Sequence, residues 1–210
     1  MLEKIAIIGA GGFGREVKML IDQINDSETK YSFIGFFDDN TDLKDLTLGV
    51  IEDLNFFKEE LSIVIAIGNP ITKKSIYNRL ANKLLKFPTL IHPNVLVGKT
   101  RKSRFGKGCI ITAGNIFTVD FNIGNFVTLN LSCTVGHDAI IDDYCSIMPG
   151  VNISGEVHIE ECVYVGTGAK VINNINIGKN TTVGAGSVVL KTLPSNCVAV
   201  GVPSKIIKLI

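Results

Sequence analysis

From Leu129 to Val165 the chain reads LNLSCTVGHDAIIDDYCSIMPGVNISGEVHIEECVYV, and every sixth residue of this stretch is aliphatic: Leu129, Val135, Ile141, Ile147, Ile153, Ile159 and Val165. The phase runs back through Ile123, Phe117 and Ile111 to Phe105, and forward through Val171, Ile177 and Val183 to Val189, without one insertion. A helix repeats near 3.6 residues and a lone strand near 2, so neither yields a strict six. A chain that turns a corner every six residues does. Three sides of six make a coil of eighteen residues, with aliphatic side chains stacked inside and each coil burying its neighbour. Four residues after each inward position stand small or medium groups such as Cys109, Cys133, Ala139, Cys145, Val157 and Ala169, which keep a narrow core from overpacking. Glycine follows the inward residue at 106, 124, 136, 166, 178 and 184, where a turn of positive φ is expected. Val97 to Phe105 is eight residues, so an excursion over Lys99–Arg104 interrupts the first coil.

The first 88 residues have another grammar. Lys4 to Ile8 reads as a buried strand running into Gly9-Ala10-Gly11-Gly12-Phe13-Gly14, and Arg15 to Asn25 has helical spacing. Tyr31 to Phe37 reads as a second strand ending at Asp38-Asp39, Leu61 to Ile67 as a third ending at Gly68, and Thr72 to Leu85 as an amphipathic helix. Strand, glycine turn, helix and strand make a Rossmann-like α/β domain over 1–88, followed by the coiled domain and its C-terminal tail over 89–210. The glycine spacing sets backbone amides at a helix start, where a phosphate can sit, and Asp38 or Asp39 supplies the acidic residue of a dinucleotide site. Under ninety residues is about half a full dinucleotide fold, so a mononucleotide or nucleotide sugar fits better. A turn that simply lets helix and strand approach is the structural alternative.

Composition removes several classes. The chain has 210 residues, 46% of them hydrophobic, and 21 basic against 20 acidic side chains give a net charge of +1. A core of ordinary size is available, and no electrostatic case exists for nucleic acid or an anionic membrane. No aliphatic run is long enough to span a bilayer, and Met1 runs almost directly into a strand, so neither a membrane span nor a signal peptide is expected. Five cysteines without close pairs fit a reducing cytosol. Cys109, Cys133 and Cys145 fall on the small inward position, while Cys162 and Cys197 are ambiguous.

Of three histidines, His92 precedes Pro93 and reads as structural, and His158 lies just before an inward residue. His137 differs. It is the second residue after inward Val135, so it projects from a corner with Asp138 beside it. A neutral imidazole is the natural base for an amine or hydroxyl proton near pH 7. His137 and His158 are 21 residues apart, not a multiple of eighteen, so they do not stack on one face, and no metal site is expected.

The repeat over 91–203 resembles the hexapeptide-repeat acyltransferases, which implies a left-handed parallel β-helix. The opening Ile7-Ile8-Gly9-Ala10-Gly11-Gly12-Phe13-Gly14, the corner Val135-Gly136-His137-Asp138 and the closing Val200-Gly201-Val202-Pro203-Ser204-Lys205 are similar to the family of sialic acid O-acetyltransferases and bacterial nucleotide-sugar N-acetyltransferases. The resemblance implies acetyl-CoA as co-substrate, transfer to a sugar amine or hydroxyl, His137 as general base with Asp138, and a cytoplasmic homotrimer. It implies acetyl-CoA contacts at Ser146, Gly155, Thr167 and Ala185, and sugar-nucleotide contacts at Gly11, Gly12, Phe13, Asp38, Asp39 and Gly68. Val119, Leu131 and Ile140 should face outward, as a subunit contact requires. Many relatives carry a second histidine nine residues after the base, where this chain has Ser146. The rival readings are O-acetylation of a sialic acid not linked to UDP, a non-catalytic nucleotide-sensing β-helix, and an NAD-dependent enzyme.

Overall fold

The computed structural model describes residues 2–98 and 100–210. Its first part is a parallel sheet built from β1 (Glu3–Ile8), β2 (Tyr31–Phe37), β3 (Thr47–Gly49), β4 (Leu61–Ile65) and β5 (Leu85–Lys86), in the order β3-β2-β1-β4-β5. The strand order reverses between β1 and β4, and the loops after those two strands open a crevice there. Helix α1 (Gly12–Ser27) follows β1 and buries Val17, Leu20 and Ile21 against the sheet. Helix α2 (Pro70–Arg79) follows β4.

α2 is shorter and earlier than the helix expected over Thr72–Leu85. Pro70 fixes the first helical residue, and the Asn69 side chain accepts from Thr72 N–H at 2.9 Å, so the helix starts two residues sooner. After Arg79 a side-chain network takes over. Asn55 Oδ1 accepts from Ala81 N–H at 2.8 Å, and Asn82 Nδ2 donates to the Leu54 and Phe57 carbonyls at 3.0 Å. These bonds pull the chain out of the helix, and Leu85 joins the sheet opposite Leu61. Leu80 and Leu84 thus belong to the loop between α2 and β5.

The second part begins with a two-residue strand at Leu90–Ile91 and winds into a left-handed parallel β-helix. Strands pair with those one coil on, as Thr134 with Asn152 and Ile140 with His158, so the repeat is eighteen residues. The prism has three faces. The first carries Thr128, Ser146 and Tyr164, the second Ile116, Thr134 and Asn152, and the third Asn122, Ile140 and His158. Every residue of the six-residue phase from Ile111 to Val189 is buried in one continuous core, with Phe105 partly buried at its end. Cys109, Cys133, Cys145 and Cys197 lie in that core, while Cys162 is buried at the seam between the two parts. Val119, Leu131 and Ile140 face solvent. Lys99, at the start of the expected excursion, lies outside the described residues.

The glycines after the inward residues do not have the positive φ expected of them. That conformation falls two residues later, at every corner from Gly108 to Gly186, and is held by Asp120, Phe126, Ser132, Asp138, Tyr144 and Asn174 as well as by glycine. Glycine after the inward residue answers to close approach instead. A Cβ on Gly166 would stand 2.6 Å from the Ala185 nitrogen, and one on Gly136 would stand 2.5 Å from the Gly155 nitrogen. The next coil's backbone occupies the space.

The first part packs across the first face. Phe126, Tyr144 and Cys162 share a core cluster with Ile8, Phe37 and Leu54, and Ile110 packs into the cluster beneath α1. Phe126 and Tyr144 take φ of 56° and 63°, a strained choice for aromatics that costs about 1–2 kcal/mol each. Their stacked rings (5.4 Å between centroids) and the contact of Phe126 with Tyr77 of α2 (4.4 Å) offset that cost.

These two glycine roles separate experimentally. Gly178→Ala, whose Cβ would run into the Ser195 backbone, should lose about 2–3 kcal/mol in urea unfolding. Gly168→Asn, at φ 71° with nothing near its Cβ, should stay within about 1 kcal/mol of the parent.

Candidate functional site

The glycine turn after β1 divides into two pairs. Gly9 has φ 104°, and a Cβ there would stand 2.8 Å from the Ala66 carbonyl oxygen; a Cβ on Gly14 would overlap the Gly9 carbonyl. Both are needed for helix and strand to approach. Gly11, the N-cap of α1, has nothing within 4 Å of such a Cβ, and around Gly12 the nearest atom is the Arg15 guanidinium at 4.0 Å. These two leave an open approach to the helix N-terminus, where backbone amides favour an anion. Gly68, at the end of the loop after β4, is equally open. Phe13 is partly buried against the α1 core.

Asp38 braces the turn. Its Oδ2 accepts from Ala10 N–H at 2.8 Å and its Oδ1 from Asn40 N–H at 2.9 Å. Asp39 accepts from Ile51 N–H at 3.0 Å and from Arg79 at 2.7 Å. Burial alone would raise the Asp39 carboxyl, but the Arg79 and Ile51 bonds outweigh it and hold it below the usual carboxylate range. Both aspartates, Gly9, Thr72 and Arg79 line a cavity of about 450 Å³ at the crevice. A second cleft, of about 670 Å³, lies between the start of α2 and the first face, lined by Gly68, Asn69, Met148, Tyr164 and Thr182 among others. Ile71 lines both, so the first turn of α2 is the wall between them.

His137 and Asp138 stand on the corner between the second and third faces, both more than half exposed. His137 Nδ1 lies 2.9 Å from Asp138 Oδ2. An ionised carboxylate only accepts, so Nδ1 carries the proton and Nε2 is left as the acceptor. Gly155, one coil on, makes room for the ring: a Cβ there would collide with Nε2. His137, Asp138 and Gly155 are therefore one constellation, with an imidazole oriented by a carboxylate and its basic nitrogen without a hydrogen bond among the described residues.

Thr167 and Ala185 are exposed on another corner, between the first and second faces. Ser146 is fully buried on the first face beneath α2, and its Oγ accepts from Lys73 Nζ at 3.1 Å. Lys73 is itself buried and also donates to Thr128 Oγ1 at 3.1 Å and the Cys145 carbonyl at 3.3 Å. Burial pushes its amine down to about 8. Sequence reasoning passed over Lys73, although it precedes Ile76 by three residues and Tyr77 by four and so shares their inward stripe. It also missed the pair of His158 Nε2 with Asp142 Oδ2 at 2.9 Å. That pairing follows from the eighteen-residue register, which lays His158 beside Ile140. His92 Nδ1 accepts from Asn94 N–H at 3.0 Å and ties down the first turn of the prism. Among the described residues no three His, Cys, Asp or Glu side chains cluster as metal ligands, and no helix is long and apolar enough to cross a membrane.

Residues 4–80 match the family described as the PglD N-terminal domain. Along most of its length the chain is similar to the GDP-perosamine N-acetyltransferase of Escherichia coli, at 29% identity over 78% of this chain and 75% of that one. It superposes on the acetyltransferase domain of PglB from Neisseria gonorrhoeae, solved with acetyl coenzyme A, with TM-score 0.86 and 29% identity, covering 99% of this chain and 100% of that one. PerB from Caulobacter crescentus, solved with CoA and GDP-perosamine, gives TM-score 0.83 at 27% identity, covering 99% of each chain. A serine acetyltransferase of Synechococcus elongatus is 44% identical over 92 residues, and the chain spans 38% of its length.

The Lys73 amine makes stability depend on pH. Its folded value of about 8 lies below the ordinary 10.5, so between those values the unfolded chain holds more proton and stability rises with pH. Cys109 and Cys133, pushed up to about 11 by burial, act in the opposite sense, because unfolded thiols ionise first. The contrast with Lys73→Met isolates the lysine. From pH 7 to 9.5 the parent should gain stability relative to the variant, on the order of 2 kcal/mol in denaturant midpoints.

Proposed function

We propose that this chain is a nucleotide-sugar N-acetyltransferase of the hexapeptide-repeat type, transferring an acetyl group from acetyl-CoA to an amino group of a nucleotide-linked sugar; its likeness to the PglD N-terminal domain, to a GDP-perosamine N-acetyltransferase and to the PglB and PerB structures supports the reading. The observation that carries the reading is the His137–Asp138 pair, 2.9 Å apart on an open corner, with Gly155 shaped to the imidazole. The nucleotide base enters the cavity beside Asp38, Asp39 and Arg79. The diphosphate runs past Gly11, Gly12 and Gly68, where no side chain obstructs it, and the sugar enters the cleft over Tyr164 and Met148.

Within one chain the His137 corner and that cleft lie on different sides of the prism. A sugar held by one copy therefore meets His137 of the partner subunit. A homotrimer meets this requirement, with acetyl-CoA lying between copies, beside Gly155 on one and Thr167 and Ala185 on the other. The exposed Val119, Leu131 and Ile140 support such contacts. Both substrates are cytosolic metabolites, so the reading carries a cytoplasmic location.

The chemistry is direct. The sugar nitrogen attacks the thioester carbonyl while Nε2 takes its proton, and Asp138 stabilises the imidazolium that forms. Backbone amides of the coil stabilise the oxyanion. The tetrahedral intermediate collapses, the C–S bond breaks, and the CoA thiolate leaves. Both substrates are bound together, so no acyl-enzyme is required.

A panel of amino- and hydroxy-sugar nucleotides, assayed for CoA release with a thiol reagent, tests the activity. With the accepted sugar, His137→Ala should lower kcat by about 10²–10⁴ and leave acetyl-CoA affinity unchanged. Asp138→Asn should cost less, and Gly155→Ala should lower kcat by displacing the ring. Near-normal turnover by His137→Ala removes the base from the mechanism. Absence of CoA release with every sugar leaves a nucleotide-sensing β-helix in its place.

A further inference from the structure

Lys73 sits against two physical preferences. It is in the first turn of α2, at the end where the helix dipole disfavours a cation. It is also fully enclosed, and its three donors go to two hydroxyls and a carbonyl with no carboxylate among them. The titratable groups facing it are Cys145 and Cys109 from the prism and Cys162 from the corner, thiols whose own burial keeps them protonated. The neighbouring cation, Lys74, is taken by Glu161 at 2.6 Å. A well-packed apolar side chain would hold such a seam at least as firmly, so stability does not account for the lysine.

Its position does. The turn of α2 that carries Lys73 is the wall between the two cavities: Thr72 faces one, Ile71 both, and Asn69 opens into the second. Its acceptor Ser146 is the ladder neighbour of Tyr164, which lines that second cleft.

We propose that Lys73 is an electrostatic positioning residue, a buried positive charge left without a counter-ion so that the diphosphate of a nucleotide bound at the start of α2 supplies one. The inference rests on the nucleotide-sugar reading of the site. The charge acts through the wall and not by contact, and its burial shields it from salt. A diphosphate nearby favours the ammonium over the amine, so nucleotide binding draws a proton onto Lys73 near the pH of its own titration, about 8.

The test is calorimetric titration of the full chain with UDP, GDP and dTDP at pH 8, in two buffers of different ionisation enthalpy. For an amine half-protonated there, a ligand-induced rise of one pKa unit gives an uptake of roughly 0.4 proton per nucleotide. Lys73→Met should abolish the uptake and weaken binding at pH 8 about fivefold. Ser146→Ala keeps the ammonium and removes one acceptor, so uptake should persist with its maximum moved to lower pH than in the parent; this variant decides the matter if Lys73→Met does not fold. Binding by the parent without proton uptake, or unchanged affinity and uptake in Lys73→Met, overturns the role of Lys73 and leaves the nucleotide site standing. A parent that binds none of the three nucleotides overturns the nucleotide site, and the proposal with it.

Discussion

Each coil of the prism is stable because another coil lies on it. A two-residue strand with one inward aliphatic cannot fold alone; stacked at eighteen residues, the strands complete each other's hydrogen bonds and close a continuous aliphatic core. The remaining features follow from that spacing. Glycine after the inward residue admits the next coil's backbone, and the left-handed residue two places on turns the corner. The faces are flat enough to take a second domain, and the corners are rigid enough to present a side chain. His137 depends on both conditions: its corner is fixed by the coil it belongs to, and its ring rests where the next coil has Gly155.

The seam between the two parts is the other organising element. Phe126 and Tyr144 accept an unfavourable backbone conformation at their corners, and the aromatic contacts with α2 offset it. Lys73 brings a charge into the same seam and settles it on Thr128, Cys145 and Ser146. The helix held this way separates the two cavities, so the packing that joins the domains also shapes the wall of the candidate binding site.

Much of the fold was legible because it rests on repetition. The six-residue phase marks the inward residues from Ile111 to Val189 directly, and Tyr31–Phe37 is found as a strand with the expected ends. Errors arose where one residue type serves two physical needs. Glycine permits positive φ and also permits close approach, and its position after Val135 or Val165 does not say which. Apolar spacing around Leu80 and Leu84 suits a helix, but Asn55 and Asn82 redirect the chain. The resemblance implies an acetyl-CoA contact at Ser146, but the packing of α2 over that residue leaves no period in the sequence.

The sequence by itself determined the prism, the glycine turn and the corner that carries His137 beside Asp138, since all three are local or periodic and follow from side-chain size and backbone freedom. Only the tertiary structure decided that the carboxylate reaches Nδ1, that Gly9 and Gly14 hold the turn while Gly11 and Gly12 stay open, and that Lys73 is buried against Ser146. Those facts depend on which surfaces meet. Contacts between residues 73 positions apart in the chain leave no period and no spacing for a reader of the sequence to find.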